Sequence, residues 1–339
     1  MKNVFRFLML LIAVVVSIFG GADAVAGLMI AAPPVVLDTQ KIVFLTSLKE
    51  EYEAIDTWLK DASDLSTFVE DGQTLVFPEA GADPNVYKNR ETDIDSVEPQ
   101  ETVHKVSLDV YDSQNYKLRN IYLHALPFEK VQYYTKQSAK AIVKQEIEDA
   151  AHAFAADVDL AARKKFVIGS SGAARDGFKM WTLEDIERMA RRADQLGFPD
   201  EGRNLVLPSD MWWDLVNSNK ILKGQLERAP LNGIIKPVVV DYYGFKIHKS
   251  TQKLNLGYDL ASSQKSPQGT VITGNIVPAG FMFVKEEVFH AGGSFEMFRQ
   301  VKSQNTGGRA EEFGFQHRFK ADHQMSDRRY SGLVYLSKA

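Results

Sequence analysis

Histidines are the residues best suited to metal ligation or proton transfer in this chain, and seven occur: His104, His124, His152, His248, His290, His317 and His323. Only His317 and His323 lie near one another, and a six-residue step suits neither a helical nor a strand metal pair. His152 falls on a long helical pattern beside Asp149, where a hydrogen-bonded surface histidine is the expected state. Asp93 and Asp95 could form a carboxylate pair for acid–base work, but their neighbours are polar and they read as a solvated loop. Neither a Gly-x-Ser-x-Gly elbow nor a His-Glu-x-x-His helix occurs. Gly169-Ser170-Ser171-Gly172 lacks the Lys-Ser or Lys-Thr of a phosphate loop and reads as a flexible joint. There is no cysteine, which excludes disulfides, thiolate metal sites and cysteine nucleophiles together. This inventory argues against an enzyme. No catalytic, cofactor-binding or metal-ligating residue is expected, and no cofactor.

The elements that would carry these residues are organised around one long amphipathic helix, from about Glu129 to Leu160. Val143, Ile147, Ala150, Phe154, Val158 and Ala161 recur at steps of three and four on one stripe, while Lys136, Lys140, Lys144 and Glu148 form a solvated one. At 1.5 Å per residue such a helix spans roughly 45 Å, so it must run along something extended, such as a sheet. Before it, Ile42-Val43-Phe44-Leu45 reads as an extended arm and Lys49 to Lys60 as a short helix with Tyr52, Ile55, Trp58 and Leu59 inward. Phe68 to Tyr122 reads as strands and turns: a turn at Asp71-Gly72, a strand Thr74 to Phe77 stopped by Pro78, and a polar tip from Asn89 to Gln100. Val103 to Tyr111 alternates, with Val106, Leu108 and Val110 on one face. A two-stranded excursion with so little core is marginal alone and needs a neighbouring molecule to lie on.

After the helix, Thr182 with Asp185 makes a capping box for a helix with Leu183, Ile186, Met189, Ala190 and Ala193 inward, ending at Gly197. Asn204 to Pro208 reads as a buried strand, and Ser209 caps a helix carrying Met211, Trp212, Leu215 and Val216. Tyr243 to Ser250 alternates as a strand entered through a turn, Leu254 to Gln268 reads as polar loop, and Val271 to Val288 as a hairpin broken at Pro278-Ala279-Gly280. The tail mixes Phe313, Phe315, Phe319, Tyr330 and Tyr335 with Arg318, Arg328 and Arg329. Aromatics beside arginines can stack on bases. Alternation and a net charge of -4 favour strand packing and subunit pairing instead.

Hydrophobic residues at 45% allow a sizeable core in a 339-residue chain of one elaborated domain or two. At the start, Lys2 and Arg6 precede an apolar run from Phe7 to Phe19, and Ala22-Asp23-Ala24 has the small-x-small pattern of a leader-peptidase site. Export is one expectation from these residues. The other is an arm that is retained and packs on another subunit.

The segment Phe198-Pro199-Asp200-Glu201-Gly202-Arg203-Asn204-Leu205-Val206-Leu207-Pro208, the helix Ser209 to Val216 after it, and the Gly314 to Gly332 run with Asp327-Arg328-Arg329-Tyr330 resemble the major capsid proteins of tailed bacteriophages. The order of elements from roughly Val35 to Ala339 is similar too: it resembles the Hong Kong 97-type fold, also used by encapsulins. The resemblance implies an α+β fold with an apolar N-terminal segment (1–33), an N-terminal arm and short helix (34–66) and an extended β loop (67–126). It further implies a peripheral domain with the spine helix (127–180 and 278–339) and an axial domain (181–277). It implies a non-enzymatic subunit that self-assembles through pentamers and hexamers into an icosahedral shell around the viral genome. Scaffold, portal and cement proteins are further partners, and packaged DNA is contacted weakly and non-specifically. Such a shell is assembled in the host cytoplasm and becomes the virion capsid. Lys88, in the loop, is a candidate for covalent crosslinking between subunits as in some relatives, with no partner Asn named. The first 33 residues depart from the family pattern. They support the alternative, an exported, membrane-tethered surface or periplasmic binding protein.

Overall fold

The computed structural model describes residues 45–50, 52, 58–79, 86–89, 102–119, 127–218, 242–251, 253–262, 264–300, 310–324 and 330–339. Expectations placed on 1–33, on most of the polar tip and on 219–241 lie outside them. In chain order the main elements are β1 (Thr74–Glu79), β2 (Thr102–Ser107), β3 (Asp109–Asp112), β4 (Tyr116–Arg119), α1 (Pro127–Phe154), β5 (Lys165–Gly169), α2 (Leu183–Gln195), β6 (Arg203–Pro208), α3 (Ser209–Ser218), β7 (Phe245–Ser250), β8 (Gly257–Asp259), β9 (Ile276–Val284), β10 (Val288–Gln300), β11 (Ala310–His323) and β12 (Ser331–Tyr335).

A mixed sheet forms the centre, in the order β7-β6-β9-β12-β5, with β8 also on β9. The β7/β6 and β12/β5 pairs are parallel, and β9 runs antiparallel to both β6 and β12. Its strands read as near-continuous apolar runs because both faces are covered. Leu205, Leu207, Met282, Val284 and Val334 point into a core with α2 and α3. Val206, Phe281, Phe283 and Leu333 point into a second core, with Trp58 and the last turns of α1.

A second sheet is built on the long antiparallel pair β10 and β11, which run in register from Val288↔His323 to Gln300↔Glu312 with one irregularity between Gly292 and Phe295. At that point the Asp71-Gly72 turn abuts the strand, and a Cβ on Gly293 would come 2.5 Å from the Gly72 carbonyl. β3 and β4 add to β11. Along this sheet lies the first half of α1, through Ala139 and Ile142 against Met297, Phe313 and Phe315. So α1 spans the ribbon sheet and the central one, the extended bed its length requires. A third sheet, Val69–Glu70, β1 and β2, forms an antiparallel ribbon with only Leu75, Leu108, Phe289 and Ala291 buried near its base.

α1 opens with Pro127, whose missing N–H and fixed φ suit the first helical position. It ends at Phe154, short of the expected Leu160. Lys265 Nζ donates to the carbonyls of His152 (2.6 Å) and Ala155 (2.9 Å), satisfying groups that a helix end leaves open. The apolar stripe stops with the helix: Val158 is half-buried and Ala161 exposed.

Other expectations are corrected by long-range pairing. Pro278-Ala279-Gly280 does not break a hairpin but lies inside β9. Pro278 sits where β9 changes partner from β8 to β12, a place that needs no N–H from it. A Cβ on Gly280 would come 2.7 Å from the Val206 carbonyl, so glycine permits the close β6/β9 approach. Pro78 does not stop β1, which continues to Glu79, because Val69–Glu70 pairs only with Leu75 and Thr74 and leaves the rest of that edge free among the described residues. Val110 is 45% exposed while Tyr111 faces inward: the chain leaves one sheet at Leu108 and enters another, shifting the alternation by one residue. Leu254, Leu256 and Tyr258 are buried, so that stretch is not a polar loop. Leu45 is helical rather than part of an extended arm, and the expected Lys49 to Lys60 helix shows helical residues at 45–50 and 52 and a 3₁₀ turn at Trp58–Asp61. Gly169 to Gly172 is no flexible joint, since Ser170 Oγ donates to the Lys179 carbonyl (2.7 Å) and Ser171 Oγ to Asp185 (2.6 Å).

Candidate functional site

The histidines singled out by spacing do not converge. His317 and His323 lie on the same face of β11, buried against different parts of the interior. His152 is half-buried rather than on the surface, its Nε2 3.0 Å from the Ser266 carbonyl, and Asp149 is taken up separately by Tyr111 (2.6 Å) and Gln145 (2.8 Å). Burial, followed by the nearby Lys265 charge, holds His152 below the usual imidazole range. His124, Asp93 and Asp95 fall outside the described residues. Among the described residues no group of three or more His, Asp or Glu could hold a metal ion.

The polar cluster that does form was not legible in the sequence. α1 projects Glu146 and β11 projects His317, each 1% exposed, with His317 Nδ1 2.5 Å from Glu146 Oε1. Tyr52, from the N-terminal helical segment, donates its hydroxyl to Glu146 Oε2 at 2.7 Å. Phe295 stacks on the His317 ring at 3.8 Å. Burial, reinforced by the Glu146 charge, pushes the Tyr52 phenol well above its usual range, so it remains a donor. A cavity of about 480 Å³ adjoins the cluster, lined also by Lys60, Asp64, His290 and Gly292. The arrangement ties three chain-distant pieces together. Two signals could have found it: Glu146 falls four residues after Ile142 on the inward stripe, and His317 alternates with Phe315 and Phe319.

Exposed apolar side chains lie on and near the ribbon. Phe68 is 51% exposed, Val86 94%, Tyr87 52% and Val103 58%. Lys88 lies exposed in the bend beside them. On α3 Trp213 is 45% exposed, and Lys249 Nζ sits 4.7 Å and 4.8 Å from the Trp212 and Trp213 rings. β2 and β7 each have one edge without a strand partner among the described residues. Exposed apolar side chains next to open strand edges are what association surfaces require.

No family model and no curated protein matches this sequence. Solved structures do. The chain is similar to the capsid structure of cyanophage P-SCSP1u, with a TM-score of 0.54 and 14% identity over 82% of this chain and 87% of that one. It is similar to a structure from Mycobacterium phage Che8, with a TM-score of 0.53 and 12% identity over 83% and 93%. It is similar also to the capsid asymmetric unit of cyanophage Pam1, with a TM-score of 0.53 and 11% identity over 81% and 88%. The expected order of ribbon, long helix, central α/β sheet and closing strands is therefore present as a fold: the chain has a Hong Kong 97-type capsid fold.

Proposed function

We propose that the chain is a major capsid subunit that self-assembles into an icosahedral shell around a viral genome. The observation that carries this reading is the shared fold with phage capsid structures over four-fifths or more of both chains. The ribbon supports it: its exposed Val86 and Val103 would be buried against a neighbouring subunit. On this reading 67–126 is the extended loop, 127–180 with 278–339 the peripheral domain, and 181–277 the axial domain meeting at capsomer centres. Pentamers and hexamers of the chain are then the assembly units, formed in the host cytoplasm and joined there by scaffold, portal and cement proteins. Among the described residues no helix is long and apolar enough to cross a membrane.

The ribbon surface gives the test. Val86→Asp with Val103→Asp places two charges on exposed side chains, so the melting temperature of the unassembled subunit stays within about 2 °C, the range of ordinary surface substitutions. Sedimentation of the same protein shows particles lost. Particles forming as readily as with the parent chain would contradict the ribbon's role.

A further inference from the structure

We propose that the cavity beside Glu146 and His317 binds a small uncharged molecule carrying hydroxyl groups on an apolar ring, an inference that goes beyond the shell reading and does not depend on it. The cavity has a volume of about 480 Å³, within the range of small-molecule pockets. Lys49, Lys60 and Asp64 in its lining are exposed, whereas Glu146, His317 and Phe319 are each 1% exposed, so it reaches from the surface into the interior. Val143 and Ile147 of α1 add aliphatic walls and Phe295 an aromatic one.

Two imidazole nitrogens in this lining lack partners. His317 Nδ1 is taken by Glu146, and its Nε2 has no hydrogen-bond partner among the described residues. His290 Nδ1 is buried with none, and its Nε2 stays 3.9 Å from Asp64, beyond hydrogen-bond distance. Gly292 lies two residues from His290 on β10 and opposite Phe319 of β11, and it puts no side chain into the space. The atoms nearest a Cβ there would be His317 Nε2 at 3.6 Å and Ser66 Oγ at 3.7 Å, ordinary contacts, and its φ is not positive. The missing side chain therefore leaves room; it relieves no clash.

A buried polar atom without a partner costs free energy, which a ligand that bonds it recovers. Water can bond both nitrogens but does not cover the phenyl and aliphatic walls, as an apolar ring does. An imidazole nitrogen accepts when the ring is neutral and donates when it is charged, and a hydroxyl group serves either state. A charged ligand fits poorly, because both Glu146 oxygens are already bonded, by His317 and Tyr52, and a further buried charge would go unpaired. The occupant would touch the N-terminal segment at Leu59 and Asp64, α1, and the β10/β11 pair, and so hold three chain-distant pieces together.

The test is isothermal titration calorimetry of the purified full chain with resorcinol and with m-xylene, a ring of similar shape without hydroxyl groups. Saturable binding of one resorcinol per chain is expected, with a melting temperature that rises with its concentration. His290→Phe keeps a ring and removes the nitrogen, so resorcinol is expected to bind about tenfold more weakly, the loss of one hydrogen bond, while m-xylene binding is unchanged. Gly292→Val fills the space and is expected to abolish saturable binding of both probes. Should that variant fail to fold, His290→Phe decides. A parent that shows no saturable resorcinol binding overturns the proposal, as does a resorcinol affinity that His290→Phe leaves unchanged. Gly292→Val melting above a parent that binds no resorcinol would identify a space filled by water alone and overturn it too.

Discussion

Glu146 shows why the interior of this protein is sensitive to single polar changes. Its carboxyl group is bonded by both His317 and Tyr52, so Glu146→Ala leaves two buried polar groups without their partner. Breaking a buried pair from one side costs about 3 to 5 kcal/mol, and we expect that loss in denaturant unfolding at neutral pH. A change below about 1 kcal/mol would show that the cluster contributes little. Burial holds His152 and His290 below the usual imidazole range, so the folded chain takes up protons less readily than the unfolded one. Their contribution is full above the unfolded value of about 6.5 and falls as the pH drops below it. Burial would raise Asp157 and Asp64, but bonding to Lys265 in one and to Ser66 in the other outweighs it and holds both low. Their contribution persists to lower pH and is lost only as the pH falls through those depressed values. Asp214 works in the opposite sense, because burial raises it despite the Arg175 contact, and acid relieves the cost of its charge. The melting temperature is thus expected to fall from pH 7 to 5.5, and His152→Gln with His290→Gln to flatten that part of the curve. A parent curve that rises over the same interval would contradict the assignment.

At the scale of elements, local signals were legible and partner-dependent ones were not. The capping box at Thr182 and Asp185 is formed, with Asp185 accepting from the Thr182 amide at 3.0 Å, and the inward residues of α2, β6 and α3 are those the sequence periodicity selects. Each depends on residues within one or two turns. β9 was misread because Pro278 looks like a break until its change of partner from β8 to β12 is known, and the alternation of Val103 to Tyr111 fails at Leu108 for the same reason. The end of α1 is set by Lys265, more than a hundred residues away. Lys265→Met removes the donor to two helix-end carbonyls and leaves Asp157 without its 2.7 Å partner. The expected loss is about 2 to 4 kcal/mol, with earlier amide hydrogen exchange confined to the last turns of α1. Uniform exchange along the helix would show that Lys265 is not the cap.

For the whole molecule, the fold class was readable because the order of elements carries it: a ribbon, then a helix long enough to underlie two sheets, then a sheet covered on both faces. What the sequence could not supply is how the pieces are joined, since Glu146 meets His317 across 171 residues and Asp61 meets Lys246 across 185. The same distribution of cores explains the proposed behaviour. The central sheet and its helices bury two large cores among the described residues, while the ribbon leaves Val86 and Val103 exposed. On the proposed reading such a molecule is stable as a subunit and satisfied only as an assembly. Electron microscopy of the purified protein at high concentration tests this most directly. The account predicts closed icosahedral particles with α1 and the ribbon of each chain in a repeating lattice. A monodisperse monomer with its ribbon folded back on its own body would contradict it.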